Sequence, residues 1–247
     1  MKEDLRIFKD SKALSVAATE ICIQSAAQAV KERNRFLVAL SGGSTPSGLY
    51  RILASEPHRS RIDWKKTFVF WGDERCVRPE EEGSNYHQAY EMLLSQVPIP
   101  EGNIERIKGE LEPAEASQDY ARILKAYAAP GMDWPRFDLV WLGMGEDGHT
   151  ASLFPGSPVE ASSPTLAVTA HYQGRPAKRV TLTPLALNSA RLIVFLATGA
   201  AKAATLKTVL GDAFQPELFP AQRIRPQEGK VIWLVDEAAG SQISQEN

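Results

Sequence analysis

One glycine-rich segment holds residue types that could do acid/base chemistry. It spans residues 143–156 (GMGEDGHTASLFPG), contains His149, one of only four histidines, and directly follows the apolar run 137–142. Such a run predicts a buried strand, and glycines at its end let backbone N–H groups approach a ligand closely. An ordinary tight turn is the alternative, but the length of the pattern favours an active-site loop in which His149 is the acid/base group. The other candidate residues of this loop are Gly143, Gly145, Asp147 and Gly148.

Residues 40–46 (LSGGSTP) have the composition of an anion-binding turn. They end an apolar strand and open a helix, for which Thr45 suits the N-cap and Pro46 the first turn. Free N–H groups and the helix dipole both favour a phosphate at such a turn. A plain capped turn is the alternative, and the segment matches neither a Walker A loop nor the dinucleotide-binding glycine pattern. The candidate phosphate ligands here are Gly42, Gly43, Ser44 and Thr45.

Two other strand ends carry charged side chains. The segment WGDER, which ends at Arg75, places two carboxylates and a guanidinium after an apolar strand. Asp73 could orient a base or an arginine and Arg75 could bind an oxyanion, although a solvated surface turn is the alternative. Lys202 follows another apolar strand and lies in the first turn of a helix. A lysine is unfavourable there unless an anion is nearby, so we expect a second phosphate ligand rather than a solvent-exposed lysine.

Composition and charge exclude several classes of protein. The chain has 247 residues, 43% of them hydrophobic and 23% charged, with a formal net charge of −2. These values are typical of a globular protein, and the small net charge argues against a nucleic-acid partner. Only two cysteines occur, no apolar segment follows the charged N-terminus, and the apolar runs are short for a bilayer span. We therefore expect a cytoplasmic protein that is neither exported nor inserted into a membrane.

Alternating strands and helices must position the candidate segments. Apolar runs predict strands at 36–40, 67–71, 137–142, 166–170, 179–183, 192–197 and 231–235, and helical spacing predicts helices at 11–31, from 46, and at 84–95, 114–128, 185–190 and 201–210. This alternation predicts a Rossmann-like α/β fold, a parallel sheet with helices on both faces. Ligands of such folds bind beyond the carboxyl ends of the strands, where the candidate segments lie. No repeat or linker is evident, so we expect one domain over residues 1–247.

The candidate segments, in this order, resemble the motifs of the 6-phosphogluconolactonase family. The matching stretches are LSGGSTP (40–46), GDERCV (72–77), SNY (84–86), LGMGEDGHTASLFPG (142–156), RVTLT (179–183) and TGAAKA (198–203). The resemblance covers nearly the whole chain and is most specific in residues 142–156. It implies a Rossmann-like α/β fold and hydrolysis of 6-phospho-D-glucono-1,5-lactone to 6-phosphogluconate, the second step of the oxidative pentose phosphate pathway.

This resemblance suggests how the site residues divide the chemistry. His149 would take a proton from the attacking water and return it to the departing ring oxygen. Arg75 would stabilise negative charge on the substrate, with Asp73 holding this arginine or the water. The phosphate would be bound by Lys202 and the 40–46 turn, which orients the reacting carbon at a distance.

The expected partner is a small sugar phosphate, with Arg179 as a further phosphate ligand. The resemblance implies no organic cofactor and no metal, and no set of His, Cys and carboxylate residues has metal-ligand spacing. We expect no nucleic acid and no membrane as partners, and a monomer or a weak homo-oligomer.

Two alternative functions remain open at this point. Glucosamine-6-phosphate deaminases resemble the chain in several segments, but Phe154 stands at their glutamate position and Arg75 at their tyrosine position. The acid/base relay of a deaminase is therefore absent. The second alternative is a domain that senses a sugar phosphate without turning it over. Such sensors usually carry a nucleic-acid-binding module, for which we identify no segment.

Overall fold

The computed structural model describes residues 4–158, 161–211 and 213–243. The strands are β1 (Asp4–Phe8), β2 (Phe36–Leu40), β3 (Thr67–Trp71), β4 (Asp73–Arg75), β5 (Leu139–Gly143), β6 (Thr165–Thr169), β7 (Lys178–Leu182), β8 (Leu192–Ala197) and β9 (Lys230–Asp236). The helices are α1 (Ser11–Arg33), α2 (Ser44–Ala54), α3 (Asn85–Met92), α4 (Pro113–Ala126), α5 (Pro184–Leu187), α6 (Ala203–Val209) and α7 (Glu237–Gly240). Most of these elements lie where the sequence predicts them.

Six strands form a parallel sheet in the order β1-β9-β8-β5-β2-β3. Strands β2, β5 and β8 are central and almost wholly buried, which explains why their sequences are continuous apolar runs. The chain adds β3 on one side of β2 and β5 on the other, so the sheet has a switch point between β2 and β5. Ligands of α/β folds bind beyond the carboxyl ends of the strands at such a point. The expected α/β fold is confirmed.

Three strands form a separate antiparallel sheet in the order β4-β7-β6. The expectation that the strands predicted at 166–170 and 179–183 join the parallel sheet is wrong, because an apolar run indicates a strand but not its partner. The charged segment 73–75 is itself a strand rather than the end of one. It pairs with β7 and sets Arg75 opposite Arg179.

Strand β1 is an edge strand of the parallel sheet that the sequence analysis does not predict. Asp4 and Arg6 form an ion pair of 2.7 Å and are nearly half exposed. Leu5 and Ile7 alternate with these charged residues and pack against the core. Charged side chains are common on edge strands, where they oppose pairing with other chains, and here they mask the strand pattern.

Helix α1 is the one described helix that is long and apolar enough, by length and composition, to cross a membrane. In the fold it packs against α2, β2 and β9 and buries Leu14, Ala18 and Ile23. A core helix meets the same criteria of length and composition, and the expected absence of a membrane partner stays a prediction. The buried apolar residues from α1 to α7 form one cluster, and the single domain over residues 1–247 stays a prediction.

Candidate active site

A cavity of about 410 Å³ opens at the carboxyl ends of the parallel strands. The segments that follow β2, β5 and β8 form much of its wall, and β4 and β7 add charged side chains. Its lining includes eleven of the predicted site residues: Gly42, Gly43, Ser44, Thr45, Asp73, Arg75, Gly143, Gly145, His149, Arg179 and Lys202. The remaining two, Asp147 and Gly148, belong to the same loop as His149 but are not among the lining residues.

The imidazole of His149 is held on three sides. Its Nδ1 lies 2.6 Å from Asp147 Oδ1, and the same oxygen accepts the His149 backbone N–H at 3.1 Å. Phe154 stacks on the ring with centroids 4.4 Å apart, and Tyr172 meets it edge-on at 4.6 Å. A carboxylate on Nδ1 favours the tautomer that carries its proton there. This leaves Nε2 as the nitrogen that can accept a proton.

The Asp147 carboxylate is suited to support a proton-accepting histidine. Burial by itself would raise its pKa, but the hydrogen bond and the charge interaction with His149 outweigh burial and lower the pKa of Asp147. The ionised carboxylate can stabilise the imidazolium that forms when Nε2 takes a proton. The sequence analysis names Asp147 only as a loop residue. The available signal was its position two residues before His149 with a glycine between them.

Two glycines of the loop lie where a side chain would not fit, and one of them makes room for this pair. A Cβ on Gly145 would lie 2.1 Å from His149 Nδ1 and 2.6 Å from Asp147 Oδ1, so a side chain at this position would displace both groups. Gly148 has a φ of +80°, which other residues rarely adopt, and a Cβ there would lie 2.8 Å from Phe219. A Cβ on Gly143 would have open space around it. Gly143, Gly145 and Gly148 therefore have different roles in the loop.

The predicted phosphate turn does begin a helix, but the N-cap residue of this helix is not the predicted one. Helix α2 begins at Ser44, with Gly43 at the N-cap in a conformation of φ +107° and without a side-chain cap bond. Thr45 as the N-cap is therefore wrong, because the positive φ of Gly43 lets the helix begin earlier. The Gly43 N–H donates to Gln88 Oε1 at 2.9 Å. The first-turn N–H groups of Ser44 and Thr45 have no partner within the helix.

Lys202 lies close to that helix start. It ends a 3-10 turn, Ala200–Lys202, that precedes α6 and follows Gly199 at φ +96°. A hydrogen bond of 3.0 Å between the Thr45 and Thr198 hydroxyls joins the two segments. Burial lowers the pKa of Lys202, although Glu146 and Asp236 act against this. The structure thus brings the two predicted anion-binding segments to one cavity.

Arg75 and Arg179 form a pair of like charges in paired strands, an arrangement that is unfavourable by itself. Buried N–H groups of both lack a hydrogen-bond partner among the described residues: Nε of Arg75, and Nε and Nη2 of Arg179. Arg75 Nη1 donates to the Gly83 carbonyl at 2.7 Å, and the Arg179 guanidinium lies 5.4 Å from the Phe154 ring centroid. Burial lowers the pKa of Arg179. An anion between the two guanidiniums would satisfy these donors.

Asp73 is buried at the cavity wall, and its hydrogen bonds do not go to Arg75. Oδ2 accepts the Ser152 hydroxyl at 2.7 Å, and Oδ1 accepts from Asn85 Nδ2 at 3.3 Å. The interpretation in which Asp73 holds this arginine therefore has no support in the described residues. The alternative role of Asp73, holding the water, stays a prediction.

The neighbouring Glu74 is structural. Its buried carboxylate accepts the backbone N–H groups of Arg75, Asn85 and Tyr86 and the Ser84 hydroxyl, at 2.6–2.9 Å. The donors of Ser84, Asn85 and Tyr86 lie at the start of α3, so Glu74 fixes that helix to β4. The two adjacent carboxylates of the DER segment therefore have different roles. Asp73 lies at the cavity wall, and Glu74 holds α3 in place.

The hairpin between β6 and β7 contributes residues that the sequence analysis missed. Tyr172, Gln173 and Arg175 line the cavity, and positive φ angles at Gln173 and Gly174 turn the chain back. Arg175 adds a third guanidinium to the wall. The hairpin has no glycine-rich strand end of the kind that identifies the other segments, and its approach depends on the pairing of β6 with β7. The sequence therefore contained no signal for these residues.

Comparison with known proteins shows which family the chain belongs to. The family model "Glucosamine-6-phosphate isomerases/6-phosphogluconolactonase" matches residues 9–233. A 6-phosphogluconolactonase of Nostoc sp. is 36% identical over 247 residues, which cover 99% of this chain and 100% of the relative. The chain belongs to the 6-phosphogluconolactonase family. The predicted resemblance is confirmed, and so is the expected enzyme class, a carboxylic ester hydrolase of the lactonase type.

Further members of the lactonase family extend the match to a solved structure. A 6-phosphogluconolactonase of Synechocystis sp. is 37% identical, over 94% of this chain and 95% of the relative. The structure of 6-phosphogluconolactonase from Trypanosoma brucei has a TM-score of 0.86 at 28% identity, over 98% of this chain and 99% of that chain. Within the described ranges of this lactonase-family chain, no group of three or more His, Cys, Asp or Glu residues could hold a metal ion.

The loop geometry gives a first testable prediction. Gly145→Ala is expected to lower the turnover rate of lactone hydrolysis by about 10- to 100-fold, because the new Cβ displaces the imidazole and a misplacement of 1 Å can cost about 100-fold. Gly143→Ala is the matched control, since it makes the same change in the same loop where a Cβ has open space. Steady-state rates with fresh lactone, beside thermal melting curves, measure the effect. Equal rates for the two variants would contradict the tight fit at position 145.

Proposed function

We propose that the protein hydrolyses 6-phospho-D-glucono-1,5-lactone to 6-phospho-D-gluconate, the second step of the oxidative pentose phosphate pathway. One observation carries the proposal. A single cavity joins the Asp147–His149 pair to a cationic wall that includes Lys202 and the start of α2. The imidazole suits the activation of water, and the wall suits a phosphate. The names of the curated relatives support the same activity.

His149 is the general base and then the general acid. Its Nε2 takes a proton from the water that attacks C1 of the lactone, and Asp147 stabilises the imidazolium that results. The proton passes to the ring oxygen as the C1–O bond breaks. The oxygen of water stays on C1 as part of the new carboxyl group. The sequence interpretation of His149 is retained, with Asp147 added as its positioning residue.

Arg75 stabilises the negative charge that develops on the carbonyl oxygen. Arg179 lies opposite it and also has buried N–H groups without a partner among the described residues, so we place both at this developing charge. Arg179 was expected at the phosphate, and its position beside Arg75 favours the oxyanion instead. Asp73 accepts the second proton of the water in a hydrogen bond, while Ser152 and Asn85 hold its carboxylate in place.

The phosphate is held away from the reacting carbon. Lys202 supplies the charge, and the N–H groups of Ser44 and Thr45 supply donors at the helix start. Gly42 and Gly43 shape this turn. A Cβ on Gly42 would lie 1.7 Å from Asn85 Oδ1, and Gly43 needs its positive φ. Binding energy at the phosphate thereby orients C1 against the water.

The phosphate assignment gives a second prediction. Lys202→Ala is expected to weaken binding of 6-phosphogluconate by about 1.5–3 kcal/mol, the range for a hydrogen bond to a charged group. The loss shrinks as salt rises, since ions screen the attraction. Titration calorimetry at two salt concentrations measures it.

Unphosphorylated gluconolactone is the control substrate for this variant. A residue that contacts only the phosphate cannot affect a substrate that lacks one. If Lys202→Ala lowered the hydrolysis of both lactones equally, Lys202 would belong to the reaction centre or to the fold.

One assay separates this proposal from its alternatives. The rate of hydrolysis of fresh 6-phosphogluconolactone, corrected for the reaction in buffer, is measured beside ammonia release from glucosamine 6-phosphate. We expect lactone turnover and no ammonia. Phe154, at the glutamate position of deaminases, stacks on His149 and has no acid group to relay a proton. Ammonia release would favour the deaminase, and binding without turnover would favour a sugar-phosphate sensor.

We further propose a cytoplasmic enzyme that works as a monomer or weak homo-oligomer, without a cofactor and without nucleic-acid or membrane partners. The support is the composition of the chain and the absence of any second chain from the proposed mechanism. Sedimentation of the purified protein across a range of concentrations tests the oligomeric state.

A further inference from the structure

A second cavity, of about 880 Å³, lies near the amino ends of β5 and β8, at the opposite edge of the parallel sheet from the active site. We call it the basal cavity. Its lining includes Trp134, Arg136, Leu185, Arg191 and Arg225, and it shares no lining residue with the active-site cavity. Arg136 lies shortly before β5 and Arg191 directly before β8. The length of these strands therefore separates the two cavities.

The basal cavity has the same unsatisfied donors as the active site. In the part of the chain that the structure describes, four arginines have a buried Nε–H without a hydrogen-bond partner: Arg75, Arg136, Arg179 and Arg191. Two of them line the active-site cavity and the other two line the basal cavity. The indole Nε1–H of Trp134, also buried and without a partner, is a third such donor in the basal cavity. Folded proteins rarely leave buried donors unpaired, so these call for an acceptor.

The nearby carboxylates satisfy these donors only in part. Arg191 Nε forms an ion pair with Asp138 Oδ1 at 3.4 Å, a long contact, and the same oxygen accepts from Arg33 Nε at 2.9 Å. Glu228 accepts from Arg136 through Nη1 at 3.0 Å, which leaves Nε without a partner. The donors that remain match a ligand that carries only acceptors, as an anion does.

The charge of the lining favours the same ligand. The lining holds three guanidiniums, those of Arg136, Arg191 and Arg225, and one carboxylate, that of Glu228; the Asp138 carboxylate, outside the lining, pairs with Arg191. Arg225 forms no ion pair with the described residues and lies 4.0 Å from the ring centroid of Phe214. Burial lowers the pKa of Arg191, and the positive charges of Arg33 and Arg136 lower it further. A bound anion would relieve this repulsion.

One wall of the basal cavity is apolar. Met132 and Leu185 are 51% and 38% exposed, and they lie in the lining with Trp134 and Pro184. An inorganic ion would leave these apolar side chains exposed to water. A ligand with an apolar or aromatic body would cover it and would also place its charge on the arginines.

We propose that the basal cavity binds an organic anion, a phosphate, sulfonate or carboxylate carried on an apolar or aromatic body. The anionic group accepts from Arg136, Arg191 and Trp134, and Arg225 closes over it from the rim. The body packs on Met132 and Leu185. This site is independent of the sugar-phosphate site and of the activity proposed there.

The test uses the full chain and two fluorescent probes that share one aromatic body. 8-Anilinonaphthalene-1-sulfonate carries the anion, and N-phenyl-1-naphthylamine lacks it. We expect saturable binding of one sulfonate probe per chain that 6-phosphogluconate does not displace, at least 10-fold tighter than binding of the neutral probe. Equal affinity for the two probes, or displacement by 6-phosphogluconate, would overturn the proposal.

Two variants locate the probe. Arg225→Gln changes an exposed side chain, so the fold tolerates it, and it is expected to weaken binding of the sulfonate about 10-fold while binding of the neutral probe stays unchanged. Arg122→Gln removes the same charge from α4, where the side chain is 75% exposed and outside both cavities, and it serves as the control. Thermal melting confirms that both variants fold. Unchanged affinity in Arg225→Gln, or an equal loss in both variants, would place the probe elsewhere and refute the site.

Discussion

His149→Ala is expected to slow the enzymatic hydrolysis of the phosphorylated lactone by about 10²–10⁴-fold, the usual contribution of a general base. The ring is held by Asp147 at Nδ1, by Phe154 stacked on it and by Tyr172 edge-on, and Nε2 is the ring nitrogen that Asp147 does not bind. Alanine removes the base and keeps the loop, because the backbone N–H at this position still donates to Asp147. Initial rates with fresh lactone, corrected for spontaneous hydrolysis, measure the loss.

We expect His149→Ala to lower kcat and to leave binding almost unchanged. Affinity for 6-phosphogluconate is expected to stay within a few-fold, because His149 acts on the water and makes little contact with the ground state. His58→Ala is the matched control, since it removes an imidazole that lies outside the cavity. Wild-type turnover in a folded His149→Ala variant would remove His149 from the mechanism.

Arg75→Gln is expected to lower the turnover rate by about 10²–10³-fold, the range for losing one preorganised donor to a developing oxyanion. Arg75 Nη1 is anchored on the Gly83 carbonyl at 2.7 Å, while its buried Nε–H has no partner among the described residues. The guanidinium is therefore fixed before the charge develops. Its Nε–H is the donor that can bind the oxyanion. Glutamine keeps a polar side chain but loses the charge and the rigid fork of donors.

The division of this loss between kcat and KM tests the role of Arg75. Stabilisation of the transition state alone appears in kcat, whereas uniform binding of the substrate appears in KM. Arg78→Gln is the matched control, because Arg78 is exposed, lies three residues further along and does not line the cavity. If Arg75→Gln raised KM and left kcat unchanged, Arg75 would be assigned to phosphate binding and not to stabilisation of the oxyanion.

Local patterns account for much of what could be predicted of the fold. Continuous apolar runs located β2, β3, β5 and β8, because strands buried on both faces must be apolar throughout. The failures were of two kinds. β1 is masked by Asp4 and Arg6 on an exposed edge, and β6 and β7 were assigned to the wrong sheet. An apolar run indicates burial but does not name the strand that pairs with it.

The amino-acid sequence by itself determined which groups meet at the cavity. His149, Lys202 and the 40–46 turn each follow a strand, and the carboxyl ends of parallel strands meet at one edge of the sheet. Placing such segments at strand ends is sufficient to bring them together. The glycines are equally local, since Gly145 is required by the imidazole four residues later.

Only the tertiary structure decided how these groups are paired. Arg75 meets Arg179 because β4 leaves the parallel sheet to join β7, and the β6–β7 hairpin delivers Tyr172 to the His149 ring. Asp73 binds Ser152 rather than its sequence neighbour Arg75. These contacts join residues up to about a hundred positions apart, and they depend on strand pairing and side-chain direction. Strand pairing and side-chain direction produce no periodic pattern in the sequence, because the packing of the whole fold sets both of them.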